Sequence, residues 1–189
     1  MNSQWKKWRA GLAALGLASL TLVAGCPEAS NAPDARPVRA GYYSAPEPNL
    51  PESERVPLDQ APYGQLVYVP VYSHVYHAGG RPYQLEATVS IRNTDPENSI
   101  TINSVDYYNG AGEFVRKELA APLRLRPLES KEFLIETRDT SGGAGANYMV
   151  EWVAAEKVHE PIIECLMAGM SGTHGLSFAR PSRVLIDKS

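Results

Sequence analysis

Apolar and polar side chains alternate without a break in Leu85-Glu86-Ala87-Thr88-Val89-Ser90-Ile91-Arg92, the clearest pattern in the chain. A period of two puts the two sets of side chains on opposite faces of an extended strand. The turn-forming residues Asn93-Thr94-Asp95-Pro96 follow directly and end the pattern. The segment therefore predicts a β-strand with one face in a core and the other in solvent.

Similar alternation recurs along the second half of the chain. The phase of the pattern slips near Asn103, which predicts a bulge, and residues 109–112, Asn-Gly-Ala-Gly, predict a hairpin connection. A helix is predicted only from Ala155 to Met167, where Pro161 interrupts it, and a strand after Pro161 is the alternative. Further strands are predicted at residues 99–108, 113–119, 131–137 and 147–154.

Short strands separated by turn signals about every ten residues are typical of antiparallel β-sandwiches and barrels. We therefore expect an all-β fold for residues 63–189, built as a single antiparallel β-sandwich. The comparison with immunoglobulin-like domains is one of architecture, because the sequence lacks the Cys–Trp–Cys pattern of antibody domains.

An aromatic segment precedes the clearest strand. On a strand, one of its faces would carry Tyr68, Tyr72, His74 and Tyr76. Pro70 restricts this segment to a sheet edge or breaks it into two pieces. Two interpretations stay open: the rings bind a protein or glycan partner, or they simply fill β positions beneath a loop or helix.

The first 25 residues have the organisation of an export signal peptide. Residues 1–9 carry three basic side chains, and the uncharged run that follows is shorter than the roughly 20 residues that span a membrane. The next residues, Leu22-Val23-Ala24-Gly25-Cys26, resemble the bacterial lipobox. That resemblance implies cleavage before Cys26 and attachment of lipid to its thiol.

Acylation of Cys26 would fix the protein to a membrane of the bacterial cell envelope, because several acyl chains together anchor a protein durably. By the same resemblance, Pro27 after the cysteine implies the outer membrane rather than the inner one, with the domain facing the periplasm. Residues 26–62 hold eight of the fifteen prolines, a composition typical of a disordered tether. The predicted division is therefore signal (1–25), tether (26–62) and β-domain (63–189).

Charge argues against nucleic acid as a partner. The chain has a net charge of −3, and removal of the three basic signal residues leaves the mature part close to −6. A mildly acidic domain without basic clusters lacks the electrostatic footprint of a phosphate-backbone binder. We therefore expect membrane contact through the lipid alone, no nucleic-acid partner and no cofactor.

The second cysteine, Cys165, has no disulfide partner if Cys26 is acylated. Cys165 lies in an apolar run and has no neighbouring group in sequence that would lower its pKa. We interpret it as a small buried apolar residue rather than a reactive nucleophile.

The histidines raise the question of a metal or catalytic site. His74 and His77 are three residues apart, which on a strand points them to opposite faces, so no metal site is predicted. The enzyme alternative, a small periplasmic hydrolase or metal-binding protein, would need His74 to converge with His159 or His174.

A serine triad is the other catalytic possibility. Ser141 and Asp139 could join His159 and His174 only if the fold brought them together, because no Gly-x-Ser-x-Gly signature is present. The glycine-rich residues 142–147 lack the Lys-Ser or Lys-Thr of a phosphate-binding loop, and we interpret them as a connection between strands.

Three segments carry a resemblance to a family. They are Tyr68-Val69-Pro70-Val71-Tyr72-Ser73-His74-Val75-Tyr76, Ser90-Ile91-Arg92-Asn93-Thr94-Asp95 and Gly142-Gly143-Ala144-Gly145-Ala146-Asn147-Tyr148. They resemble an uncharacterised bacterial family of exported proteins over about residues 63–178, and this resemblance implies no catalytic residues. The leading hypothesis is thus an envelope lipoprotein with a non-catalytic module that binds a protein or glycan. A purely structural spacer is a further alternative.

Overall fold

The computed structural model describes residues 49–188. Within this range no helix is long and apolar enough to cross a membrane. Apart from one short 3₁₀ turn at Glu52–Glu54, the regular elements of the described chain are strands. They are β1 (Tyr63–Pro70), β2 (His74–His77), β3 (Arg81–Gln84), β4 (Glu86–Arg92), β5 (Ile100–Tyr108), β6 (Phe114–Lys117), β7 (Leu123–Leu125), β8 (Ser130–Ile135), β9 (Asn147–Ala154), β10 (Ile162–Ser171), β11 (His174–Pro181) and β12 (Arg183–Asp187).

These strands form two antiparallel sheets and one separate hairpin. The first sheet has the order β12-β1-β9-β5-β6, with β7 also pairing with β5. The second sheet has the order β11-β10-β4-β8, and β2 pairs with β3 alone. The predicted all-β antiparallel sandwich is confirmed.

The core lies between the two sheets. The predicted strand at 85–92 is β4 with Leu85 just before it, and its alternating residues Ala87, Val89 and Ile91 are fully buried. The facing side of the first sheet contributes buried residues such as Trp152 and Ile102 to the same cluster. Each large apolar side chain buried in this way contributes roughly 1.5–3 kcal/mol, which makes the alternation the main determinant of the strand's orientation.

The predicted bulge is confirmed. The register between β5 and β9 shifts between Ile102 and Ser104, which leaves Asn103 as the extra residue. Its amide nitrogen donates to the carbonyl oxygen of Val56 and to Oε1 of Glu151, both at 2.7 Å. The bulge thus ties the segment before β1 to the outer face of the first sheet.

The predicted helix from Ala155 to Met167 is wrong, and the alternative of a strand after Pro161 is correct. Ile163, Cys165 and Met167 are buried at every second position of β10, where they pair with the buried residues of β4. Period-two burial against a neighbouring strand outweighs the helical propensity of the segment.

The aromatic segment is broken at Pro70, one of the two predicted outcomes. β1 ends at Pro70, and it is not an edge strand, because β9 and β12 pair with it on either side. Residues 71–73 connect it to β2. Tyr68, Tyr72 and Tyr76 therefore belong to three different pieces of backbone rather than to one sheet face.

A final pair of strands was not predicted from the sequence. β11 is an edge strand of the second sheet, and β12 is an edge strand of the first sheet. Only Ser182 lies between these two strands in the chain. The chain therefore bends from one sheet into the other at Ser182 and closes one side of the sandwich. β12 is exposed at every position and β11 at every position but Phe178, so neither shows the alternation on which the sequence predictions rest.

Residues 58–61, the last part of the predicted tether, pack on the sandwich. Leu58 and Ala61 are buried and pack in a cluster with Val153. The ammonium group of Lys188 donates to the carbonyl oxygens of Leu58, Asp59 and Ala61 at 2.6–2.9 Å. An apolar contact and a charge-assisted clamp hold this turn to the sheet. Residues 1–48, with the predicted signal, Cys26 and most of the tether, lie outside the described residues.

Candidate functional site at the hairpin cleft

A cleft of about 640 Å³ opens between the β2–β3 hairpin and the end of β10, and we call it the hairpin cleft. It combines aromatic, aliphatic and hydrogen-bonding side chains, a mixture typical of ligand sites. Its lining residues are His77, Pro82, Tyr83, Gln84, Glu86, Thr137, Ala168, Gly169, Met170 and Ser171.

Tyr83 fixes the hairpin to the second sheet. Its hydroxyl lies 3.0 Å from the carbonyl oxygen of Gly169 and 3.1 Å from that of His174. Gly169 permits the close approach, because a Cβ there would lie only 2.5 Å from the carbonyl oxygen of Gln84. The wall of the cleft is thus a preorganised contact between two hairpins.

Polar groups and exposed apolar side chains surround this contact. Across the cleft, Thr137 donates its hydroxyl hydrogen to Oε1 of Glu86 at 2.9 Å. At the rim Met170 is 80% exposed, and on the hairpin beside it Tyr76 is 67% exposed. A carboxylate, hydroxyl groups and exposed apolar side chains together offer both hydrogen bonds and contact area to a ligand.

The four predicted binding residues are only partly brought together. His74 and Tyr76 share one face of the hairpin, with ring centroids 4.9 Å apart. Tyr72 packs edge-on against Phe178 of β11 at 6.0 Å and is half-buried against the core. Tyr68 lies on β1, where it pairs with Met149, and among residues 49–188 it makes no ring contact with the other three. His74 and Tyr76 thus lie together on the hairpin without lining the cleft, and Tyr68 is not grouped with them.

The histidines of the hairpin point apart, as their spacing predicts. His74 contacts Tyr76 on one face, while His77 contacts Tyr83 on the other at 5.7 Å and lines the cleft. The ring nitrogen Nδ1 of His74 lies 3.1 Å from the hydroxyl of Ser73. Over the described part of the chain, no group of three or more His, Cys, Asp and Glu residues is arranged to hold a metal ion.

The other two histidines lie at opposite ends of β10. β10 is ten residues long, which at about 3.3 Å per residue separates its ends by about 30 Å. His159 precedes this strand, and its backbone N–H donates to Oδ2 of Asp95 at 3.0 Å. His174 follows the strand and pairs with Ser171. A single site that used both His159 and His174 therefore lacks the required geometry.

Ser141 and Asp139 take part in a polar network beside the glycine-rich connection instead. Ser141 donates its hydroxyl hydrogen to Asp139, whose carboxylate also accepts from Arg116 at 2.6 Å. Arg116 also donates to Glu118 at 2.7 Å, and Glu118 accepts the hydroxyl hydrogen of Tyr148 at 2.6 Å. The network joins three parts of the chain: β6, β9 and the connection that follows β8.

The pKa shifts in this network follow from burial and pairing. Burial alone would lower the pKa of Arg116, but the hydrogen bonds to Asp139 and Glu118 outweigh it and raise the pKa. Burial, and then the nearby Asp139 carboxylate, raise the pKa of Tyr107 to about 12. Burial opposes ionisation of Asp139, but hydrogen bonds from Ser141 and Arg116 lower its pKa overall. Each group is thereby held in its ordinary charge state, which suits a structural network rather than proton transfer.

Residues 142–146 are packed tightly against this network. A Cβ at Gly142 would lie 1.8 Å from the hydroxyl of Tyr107, and the backbone of Gly145 closely approaches that of Gly110. The N–H of Gly110 donates to the carbonyl oxygen of Gly142 at 2.9 Å. As predicted, the glycine-rich residues form a connection between strands.

Comparison with known protein families places the chain in one of them. The model of a family of proteins of unknown function (DUF3124) matches residues 64–185, about two thirds of the chain. The chain belongs to this family. The expected membership in an uncharacterised family is confirmed, and the match covers both sheets and the hairpin cleft of the DUF3124 domain.

Other comparisons add no function to the DUF3124 domain. No curated protein matches the chain. A crystal structure of Thermotoga maritima 1070 is similar with a TM-score of 0.38 and 9% identity, over 63% of this chain and 91% of that one. A similarity at this level carries no argument about function.

One of the segments that resemble the family, Ser90 to Asp95, has a clear structural role in the DUF3124 domain. Asn93 is buried, and its amide nitrogen donates to the carbonyl oxygens of Asn98 at 2.8 Å and Arg126 at 2.9 Å. Asp95 accepts three backbone N–H groups, those of His159, Glu97 and Asn98, at 2.7–3.0 Å. These hydrogen bonds, with that of His159 first, lower the pKa of Asp95. The Asn93–Asp95 turn therefore fastens the end of the sandwich opposite the cleft.

Cys165 of the DUF3124 domain is a buried core residue, as interpreted from the sequence. It is fully buried, and its Sγ lies 3.2 Å from Sδ of Met167. Burial raises the pKa of its thiol to about 12, so a reactive thiolate is disfavoured.

The sequence analysis missed most residues of the cleft. Tyr83, Met170 and Ser171 lie in parts of the chain without alternation of apolar and polar residues. One signal was available, because Gly79-Gly80 between His77 and Arg81 has the composition of a tight hairpin connection. Both glycines have positive φ, at 80° and 102°.

A second cavity, of about 420 Å³, lies near the start of β1 and the end of β9 and is a weaker candidate. Small and aliphatic residues such as Ala61 and Val153 line it, with Glu54, Arg124 and Glu156 among them. None of its lining residues is aromatic. It therefore lacks the aromatic ring surfaces that the hairpin cleft offers to a ligand.

Proposed function

We propose that this domain is a non-catalytic module that binds a protein or glycan partner in the hairpin cleft. The observation that carries the proposal is the cleft itself, where Tyr83 and Gly169 hold two hairpins together beside exposed His77 and Met170. Exposed apolar side chains grouped around a preformed concave surface with hydrogen-bonding groups are typical of binding sites. The acidic charge of the mature chain supports a partner other than nucleic acid.

The proposal includes the place where binding occurs. We infer that the chain is an envelope lipoprotein, acylated at Cys26 and sorted to the outer membrane, with the domain in the periplasm. The lipobox-like residues before Cys26 and Pro27 after it support this inference. The proline-rich residues between Cys26 and the domain support a role as a tether that holds the cleft away from the bilayer.

In-cell crosslinking tests the cleft. The full-length protein carries a photoreactive amino acid in place of Ser171, and adducts are identified by mass spectrometry. We expect a discrete adduct whose yield falls about tenfold when His77→Ala and Met170→Ala are combined, because both side chains are exposed and line the cleft, and a few such anchors dominate binding energy. Leu134→Ala is the matched control, since Leu134 is 57% exposed on another surface of the second sheet and should leave the yield unchanged.

Two results would contradict the proposed function. The first is an adduct whose yield is the same in the double variant and in the unchanged protein. The second is the absence of any adduct from position 171, together with no binding of the purified full-length protein to a glycan array.

A further inference from the structure

The outer edge of β11 is a free strand edge. β11 is eight residues long and forms the end of the second sheet, with β10 on one side. Its pairing with β10 begins at the two-residue turn between Ser171 and His174 and continues without a bulge to Pro181. A long regular edge of this kind presents unpaired backbone groups to any extended chain.

The hairpin geometry identifies which backbone groups are free. In a two-residue hairpin the residues that flank the turn bond to each other, and the bonding then recurs at every second pair. His174, Leu176, Phe178 and Arg180 therefore bond to β10. The intervening residues Gly175, Ser177 and Ala179 direct their N–H and C=O groups away from the sheet.

The side chains beside this edge favour apolar contacts at alternate positions. Leu176 and Phe178 lie on the core-facing side of β11, since Phe178 pairs with buried Met167. Leu176 is 40% exposed, and Phe178 is half-buried against Tyr72. A strand added to this edge would therefore place every second side chain against Leu176 and Phe178.

The charge of the edge favours an acidic partner over a second copy of the chain. Arg180 on β11 and Arg183 at the start of β12 are exposed, and neither has an ion-pair partner within residues 49–188. A copy paired edge to edge would add the same cations to this side. An acidic side chain on a ligand would instead find an unpaired guanidinium group.

From these observations we propose that the β11 edge binds an extended segment of another protein by strand addition. The segment runs antiparallel to β11, with an acidic residue beside Arg180 followed by apolar residues at alternate positions beside Phe178 and Leu176. Backbone hydrogen bonds to Gly175, Ser177 and Ala179 supply the pairing, and the alternate side chains supply selectivity. This surface is separate from the hairpin cleft and does not depend on binding there.

A synthetic peptide tests the proposal. The probe is a fluorescently labelled eight-residue peptide with glutamate near its N-terminus and valine at alternate positions after it. Binding to the full-length protein is measured by fluorescence anisotropy. We expect saturable binding that Ser177→Pro weakens about tenfold or more, because proline removes an outward N–H while edge positions tolerate it. Ser177→Ala, which keeps the N–H, is the control and should bind like the unchanged protein.

A charge exchange tests the direction of the bound strand. Arg180→Glu should weaken binding of the glutamate peptide several-fold, and a peptide with lysine in that place should recover the loss. Hydrogen exchange should show slower exchange of the Gly175, Ser177 and Ala179 amides when the peptide is bound. A Ser177→Pro variant that binds as tightly as Ser177→Ala would overturn strand addition, as would a peptide that does not bind at all.

Self-association is the competing outcome. If light scattering shows a dimer of the full-length protein that Ser177→Pro dissociates, the edge pairs with a second copy and the proposal is wrong. Crosslinking from Ser171 in the cleft remains a separate measurement, so failure of the edge proposal does not decide the function proposed for the cleft.

Discussion

Single polar residues fix one end of this sandwich. Asn93 and Asp95 are buried at the end opposite the cleft, and their side chains satisfy backbone groups that the adjoining strands leave unpaired. Buried polar groups are costly unless they are hydrogen-bonded, and here each bond also joins two segments. The turn therefore acts as a local lock between the end of β4 and the start of β10.

The carboxylate of Asp95 makes stability depend on pH. Backbone hydrogen bonds, with that of His159 first, lower its pKa in the folded protein below the value of about 3.9 expected when unfolded. Its contribution is therefore fully present above pH 4 and is lost as the pH falls through the lowered folded value.

Asp95→Asn tests this contribution. The asparagine side chain has one acceptor oxygen, whereas the carboxylate accepts hydrogen bonds through both Oδ1 and Oδ2. We therefore expect the variant to have a lower free energy of unfolding than the unchanged protein at pH 7, and a smaller deficit near pH 3. Urea unfolding at both pH values measures this difference in the free energy of unfolding. Thr94→Ser, which keeps the hydroxyl that donates to the carbonyl oxygen of Glu160 at 2.7 Å, is a control in the same turn. A stability deficit of equal size at both pH values would rule out the carboxylate's role.

At the scale of elements, the β2–β3 hairpin depends on a close approach that a glycine permits. A Cβ at Gly169 would lie 2.5 Å from the carbonyl oxygen of Gln84 and 2.8 Å from Cε1 of Tyr83. A backbone atom cannot move away as a side-chain tip can. The hairpin must therefore shift if any side chain is introduced at this position.

Gly169→Ala should separate the hairpin from the second sheet. We expect a loss of about 1–3 kcal/mol in the free energy of unfolding, the usual cost of an overpacked contact, together with a lower crosslinking yield from the cleft. Chemical denaturation and the Ser171 crosslink measure the two effects. Gly172→Ala is the control, since a Cβ added at Gly172 would meet no atom within 4 Å, and its φ of 60° means that this variant reports backbone strain alone. Equal crosslinking from Gly169→Ala and the unchanged protein would refute the link between this contact and the cleft.

The elements that could be predicted are those with one face in the core. β4 and β9 show period-two burial, and their alternating residues lie within the predicted segments 85–92 and 147–154. β11 and β12 could not be predicted in this way, because almost every position is exposed. The four predicted binding residues of the aromatic segment do not form a single surface, for a related reason. Pro70 predicts one break in the segment, but the spacing of the rings does not reveal that the chain returns through a hairpin.

At the scale of the whole molecule, fold and location rest on different parts of the chain. The sandwich is specified by residues 63–188 and by the turn at residues 57–61 that packs on it. The proposed location depends on residues 1–48, chiefly Cys26, which is far from every residue of the cleft in sequence. Lipid on Cys26 is the proposed anchor.

Fatty-acid labelling tests the anchor. Cells that express the full-length protein with a fatty-acid probe should incorporate label into the unchanged chain, and Cys26→Ser should abolish incorporation and release the protein from membrane fractions. Cys165→Ser is the matched control, since a buried thiol cannot be acylated, and it should leave labelling intact. Label that persists in Cys26→Ser would show that the predicted attachment site is wrong.

The closing strand β12 has a consequence for how the domain is made. The amide nitrogen of Gln65 on β1 donates to Asp187 on β12 at 3.2 Å, across 122 residues of sequence, and Lys188 clamps the turn before β1. Contacts of such high sequence separation slow folding, because the chain must close a long loop before they form. A nascent chain that has not yet reached residue 183 has an unpaired edge on β1 and no clamp on residues 57–61. Folding of this sandwich is therefore completed only after synthesis of its last strand.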